Sequence, residues 1–168
     1  MSPKKRGRAG RHKQGTKRSL AQNVPSGDKR THREGQNSFQ QKPVWSFEVL
    51  DIEGPWGWNN DKVTSILWTE IVPKLQSFET MTWGEITQQA GGRKHGNNHH
   101  FISVEALTRK AQKRLSEIRQ DDIDEIFSFR LKAKTRIYGL TEGRVFKLLW
   151  YDPFHGNNRE AVVSVTQK

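Results

Sequence analysis

The first 42 residues hold only four sizeable apolar side chains, Met1, Leu20, Val24 and Phe39. Against these stand twelve Lys or Arg and two acidic residues. So few apolar groups cannot offset about 1–2 kcal/mol of backbone entropy per ordered residue. Residues 1–42 therefore read as a disordered basic tail of net charge +10. Composition changes at Pro43: all six Trp and seven of the eight Phe lie beyond it. Residues 43–168 carry a net charge of only +1 and read as a single domain, long enough for one hydrophobic core.

Within that body the periodicities assign elements. Trp45, Phe47 and Val49 alternate with Ser46 and Glu48, predicting a strand over Val44–Asp51 that Gly54-Pro55 ends. After a cap at Asn59 or Asn60, Val63, Ile66, Leu67, Ile71, Leu75 and Phe78 recur at helical spacing. Pro73 is expected to kink or split that helix near Thr69–Val72. Thr82-Trp83-Gly84-Glu85 has the form of a capping box and predicts a short helix. Ala90–His100, with three Gly and two Asn, predicts a polar loop. Ser103 is expected to cap a helix with Leu107, Ala111, Leu115 and Ile118 on its apolar stripe. Arg109, Lys110, Lys113 and Arg114 lie off that stripe.

The last third switches to strands. Phe127, Phe129 and Leu131 alternate with polar residues, Thr135–Leu140 follows, and Glu142-Gly143 supplies a tight turn into the apolar run Arg144–Asp152. Ala161–Thr166 offers a further strand. The order predicts an α+β domain. It has an N-terminal strand, two to three helices, then a C-terminal antiparallel meander of three to four strands, with the helices on one face.

The chain has no cysteine, which excludes a disulfide scaffold, Cys-ligated zinc, an iron–sulfur site and a thiol nucleophile. No apolar run approaches the roughly 20 residues a membrane helix needs. The basic N-terminus is not followed by an apolar core of signal-peptide type. A cytoplasmic protein without membrane partners is expected. Neither a Walker loop nor G-x-G-x-x-G occurs, and no cofactor is expected.

Lys4, Lys5, Arg6, Arg8, Arg11, Lys13, Lys17 and Arg18 are suited to neutralising phosphates, which points to nucleic acid, RNA or the ribosome, as partner. A solubility extension is the alternative. The tail has no aromatic residue before Phe39, so base stacking is closed to it. His95, His99 and His100 sit together without a carboxylate in their loop, which suits an exposed polar loop better than a metal site. Arg130, Arg136, Tyr138, Arg144 and Lys147 fall within the meander. They suit either the solvated face of a one-sided sheet or charge stabilisation and proton transfer at a phosphoryl group. Asp152 is placed to orient His155 across a turn, although Asp-Pro is also ordinary turn chemistry. The two Trp of Gly54-Pro55-Trp56-Gly57-Trp58 are expected to pack against the domain edge.

Three runs carry a resemblance: Phe127-Ser128-Phe129-Arg130, Arg136-Ile137-Tyr138-Gly139-Leu140, and Val145–Pro153 with His155. With Asp51…Gly54-Pro55-Trp56 and Met81–Ile86 they resemble a family of small, mostly uncharacterised bacterial proteins. The order of elements also resembles the RelE/ParE-like toxin superfamily. That resemblance implies action on RNA, as a ribonuclease with Arg130, Arg136, Tyr138 and His155 as catalytic residues and a small antitoxin as protein partner. The alternatives are a non-catalytic nucleic-acid-binding protein and a protein-binding module with a Trp-rich edge.

Overall fold

The computed structural model describes residues 38–59, 61–89, 98–156 and 160–163. Strands β1 (Val44–Ser46), β2 (His99–Ser103), β3 (Glu125–Arg130), β4 (Arg136–Glu142) and β5 (Val145–Asp152) form one sheet in the order β1-β5-β4-β3-β2. β2 to β5 are antiparallel neighbours, and β1 runs parallel to β5. The α+β reading holds. The tail residues Lys4 to Arg18, His95 and the Asn60 cap lie outside the described residues.

Local chemistry accounts for the hairpin at the sheet's centre. Gly143 adopts φ 56°, the left-handed conformation of the tight β4–β5 turn. Gly139 lies at the register shift between β4 and β5, where Leu149 of β5 is the extra residue. A Cβ there would collide with the Lys147 carbonyl and the Phe146 ring on the neighbouring strand.

Helices cover both faces of the sheet, not one as expected. On the first face lie α1 (Asp61–Ile66), a π-helical segment Leu67–Ile71, α2 (Val72–Phe78) and α3 (Trp83–Gln88). Their buried Ile71, Phe78 and Trp83 pack on Phe127, Phe129 and Phe146. Trp83 meets Phe127 edge-on at 5.3 Å, and Phe129 meets Phe146 at 4.8 Å. On the second face α4 (Arg109–Glu117) sets Ala111 and Leu115 against Ile126, Leu140 and Trp150. The buried runs Ile126–Phe129 and Leu148–Asp152 fit this arrangement, since a strand covered on both sides is apolar along its length.

Pro73 divides the long helix as expected: the π-helical turn ends where α2 begins, with the proline in the first turn of α2. Thr82 and Glu85 close the expected capping box. Three boundaries differ. The first strand stops at Ser46, because the chain turns at Phe47 and returns across β5, where Asp51 N–H donates to the Leu149 carbonyl. His99–Ser103 pairs with β3 as an edge strand, although His99 and His100 were expected to end a loop. The cap of α4 is Thr108, whose hydroxyl accepts from Ala111 N–H, while Ser103 makes no capping bond. Val163 makes one isolated bridge to Leu107, and residues 164–166 of the expected last strand lie outside the described residues.

One buried carboxylate ties these layers together. Asp51 is 5% exposed. It accepts from Arg114 Nε at 2.9 Å and Nη2 at 2.6 Å, from Trp150 Nε1 at 2.8 Å and from Glu53 N–H at 3.2 Å. The same pairing raises the Arg114 pKa further above its ordinary value. Asp51→Asn removes the charge and leaves the guanidinium facing an amide. It is expected to cost about 3–5 kcal/mol in chemical denaturation, the range for breaking a buried pair by removing one partner. Gly139→Ala is expected to lower the melting temperature at least as much, by the collision described above.

Candidate functional site

Strand register builds a polar corner on the α4 face. Directly opposed residues of antiparallel strands share a face. One row therefore holds His100, Ser128, Tyr138 and Trp150, and the next holds Arg130, Arg136 and Asp152. The apolar residues Ile126 and Leu140 of this face lie under α4. The polar rows occupy the end of the sheet where β3 stops and β4 begins.

The two arginines stand side by side on β3 and β4. Arg130 donates from Nη1 to Asn98 Oδ1 at 3.0 Å and from Nε to the Lys132 carbonyl at 3.3 Å. Arg136 is only 7% exposed. Its Nη1 donates to the carbonyls of Lys132, Ala133 and Thr135 at 2.9, 3.3 and 3.0 Å, binding the β3–β4 loop. Neither arginine has a carboxylate ion pair among the described residues. Burial, then the Arg130 charge, lowers the Arg136 pKa.

His155 folds back over this corner. Its backbone N–H donates to the Lys134 carbonyl at 3.0 Å, and its Nδ1 lies 3.3 Å from Tyr138 Oη. Burial, helped by the positive charges of Arg136, His100 and Arg130, holds its pKa down to about 4. The imidazole is thus neutral at pH 7. Tyr138 is fully buried, and burial raises its pKa. It cannot touch a substrate and serves His155 instead.

Asp152 does not orient His155. Its Oδ1 accepts from Phe154 N–H at 2.7 Å and its Oδ2 from Val162 N–H at 2.9 Å. These bonds hold the bend after β5 and the returning chain, the turn-chemistry alternative. Of the other cations, Lys147 pairs with Glu48 and Glu142 at 2.9 and 2.7 Å. Trp56 and Trp58 are buried, so the Gly54–Trp58 loop packs on the domain edge as expected. Of the six Trp only Trp68 is largely exposed, at 68%. The described residues thus present one largely exposed Trp and a partly buried Trp45.

Neighbouring positions on β2 face opposite ways, so His99 and His100 cannot share one ion. His99 is buried against Phe78 and Phe129, with ring centroids at 5.0 and 5.2 Å. Its Nδ1 accepts Arg130 N–H at 3.2 Å, which puts its proton on Nε2, 3.1 Å from Gln89 Oε1. No group of three or more His, Asp or Glu able to hold a metal occurs among the described residues. No helix among them is long and apolar enough to cross a membrane. A second concavity of about 490 Å³, lined in part by Ile52, Glu53, Val63 and Phe154, offers shape but few titratable groups.

Sequence reasoning missed His100 and Ser128 as members of the corner. The signal for Ser128 was present, since it alternates with Ile126 and Arg130 on one face of a recognised strand. His100 was hidden by the loop reading of its segment. Comparison with family models, with curated proteins and with solved structures finds no match to this chain.

Burial holds the His99 pKa down to about 4 against an ordinary value near 6.5. The unfolded chain therefore takes up a proton below about pH 6.5 that the folded protein refuses until about pH 4. Stability is full above pH 6.5 and falls as pH drops through that window. The slope is at most about 1.4 kcal/mol per pH unit for one such group. His99→Gln is expected to flatten the dependence of the urea midpoint on pH between 6.5 and 4 relative to the wild type. An unchanged profile would show that His99 does not contribute.

Proposed function

We propose that the protein acts on RNA by seating one phosphodiester at the Arg130–Arg136–His155 corner, while the basic N-terminal stretch supplies affinity along the strand. The observation that carries this reading is the pair of adjacent arginines, neither in an ion pair among the described residues, with only the Asp152 carboxylate opposite Arg136 offsetting part of their charge. Two guanidinium groups held together in a partly buried place repel each other, and an anion relieves that cost. A phosphodiester has the single charge and oxygen acceptors that such donors match. RNA is favoured over other phosphates by the RelE/ParE-like order of elements and by the +10 charge of residues 1–42.

Cleavage is a second reading, in the manner of a RelE-like toxin. The neutral imidazole beside two cations favours it, because proton transfer to or from a 2′-hydroxyl needs a group able to exchange protons at neutral pH. Against it stand the complete burial of Tyr138 and the commitment of Arg136 Nη1 to loop carbonyls. Growth arrest on expression that His155→Ala abolishes would favour cleavage over binding alone.

Arg130 is the cleaner probe of the two arginines, because Arg136→Ala also strips three carbonyls of their donor. Arg130→Ala is expected to keep the melting temperature within a few degrees. It is expected to weaken binding of a short oligoribonucleotide by about ten- to a hundredfold, in line with about 1.5–3 kcal/mol for a hydrogen bond to a charged group. Replacing Lys4, Lys5, Arg6 and Arg8 together by Gln is expected to lower the slope of log K against log salt by about 3, from about 0.7–0.9 per engaged phosphate. Unchanged affinity in Arg130→Ala would remove the body from the binding surface.

A further inference from the structure

Ser128 is fully buried, and its Oγ makes no hydrogen bond of ordinary geometry. Buried hydroxyls are rarely left so. Its cross-strand partner on the same face is Tyr138. The two side chains are near enough for the Ser128 hydroxyl to stabilise the Tyr138 phenolate slightly, although they fall short of a well-formed bond. Rotation of the serine hydroxyl and a small shift of its side chain would close that gap. Tyr138 Oη in turn lies 3.3 Å from His155 Nδ1. Three groups thus stand in a row from the dry interior to the rim.

Two directions of donation are open to such a row. If His155 Nδ1–H donates inward to Tyr138 and Tyr138 donates to Ser128, the serine proton is left buried with no acceptor. If Ser128 donates to Tyr138 and Tyr138 donates to Nδ1, every proton in the row has an acceptor. Only spare lone pairs on Ser128 then go unused. Buried donors without partners are rarer than under-used acceptors, so the second direction is favoured.

We propose that Ser128 Oγ–H donates to Tyr138 Oη and that Tyr138 Oη–H donates to His155 Nδ1, fixing His155 as the neutral imidazole that carries its proton on Nε2. Ser128 and Tyr138 are then positioning residues, and His155 meets its ligand as a hydrogen-bond donor. The identity of that ligand rests on the reading of the corner as an RNA phosphodiester seat. Beside Arg130, whose guanidinium also only donates, the Nε2–H completes a site made of donors. A phosphate oxygen is the acceptor it suits. In this tautomer Nε2 has no lone pair with which to take a proton from a 2′-hydroxyl, so the corner recognises an anion and does not use His155 as a base.

The test is the long-range ¹H–¹⁵N correlation spectrum of the full chain, labelled with ¹⁵N, at pH 7. The expected His155 pattern is an unprotonated Nδ1 and a protonated Nε2. A protonated Nδ1 in the wild type overturns the proposal without recourse to any variant. In Ser128→Ala and Tyr138→Phe, each checked for an unchanged melting curve, the His155 pattern is expected to move toward a mixture of the two tautomers. Shifts that stay at their wild-type values in both variants overturn it as well. Adding a short oligoribonucleotide separates the two readings. A moved Nε2–H signal that Arg130→Ala abolishes supports both. The expected tautomer with no response to RNA leaves the row of donors standing and overturns the phosphodiester seat.

Discussion

The Asp51 carboxylate joins three parts of the chain that share no local reason to meet. The loop after β1 brings it in, α4 answers with a two-pronged guanidinium, and β5 supplies the indole N–H of Trp150. A buried charge is tolerated only when paired and hydrogen-bonded, and here both oxygens are occupied. The arrangement fixes how α4 lies on the second face of the sheet. Where α4 covers that face, the residues are apolar. Beyond it they are Ser128, Arg130, Arg136, Tyr138 and His155. The placement of one helix thus determines which end of the face is left to a polar site.

Much of this was legible in the residues. The period-2 pattern of Phe127 to Leu131, the Gly143 turn, the Thr82 capping box and the break at Pro73 each follow from local chemistry, and each is found. Elements set by distant partners were not legible. Nothing in His99–Ser103 alone distinguishes a strand from a loop, because its pairing is dictated by β3. The early end of β1 likewise reflects the Leu149 carbonyl, which takes the Asp51 N–H. Coverage of both sheet faces was written in the apolar runs of β3 and β5, but α4 supplies only Ala111 and Leu115 as fully buried contacts. So thin a stripe does not announce which face it covers.

The candidate site divides in the same way. That Arg130, Arg136 and Tyr138 fall within the meander was legible, whereas their side-by-side placement and the return of His155 come from the strand register and the bend after β5. The roles of Asp152 and Arg136 were not readable. Both groups have the chemistry of a catalytic residue, yet their hydrogen bonds go to backbone atoms of adjoining loops. Side-chain type states what a group is able to do, and only its partners show whether it is free to do so.

The pairing of β1 with β5 has a consequence for how the chain assembles. Val44 sits opposite Val145, so about 100 residues must be made before the first strand has a neighbour. The β4–β5 hairpin, by contrast, closes over a two-residue turn and joins β3 through a short loop. Loop closure is least costly where the segment is short, so the meander is the natural nucleus and β1 is the last strand to dock. On a ribosome, Trp45 and Phe47 emerge well before anything can shelter them. The highly charged residues that precede them in the chain are then the nearest solubilising groups to those exposed aromatics.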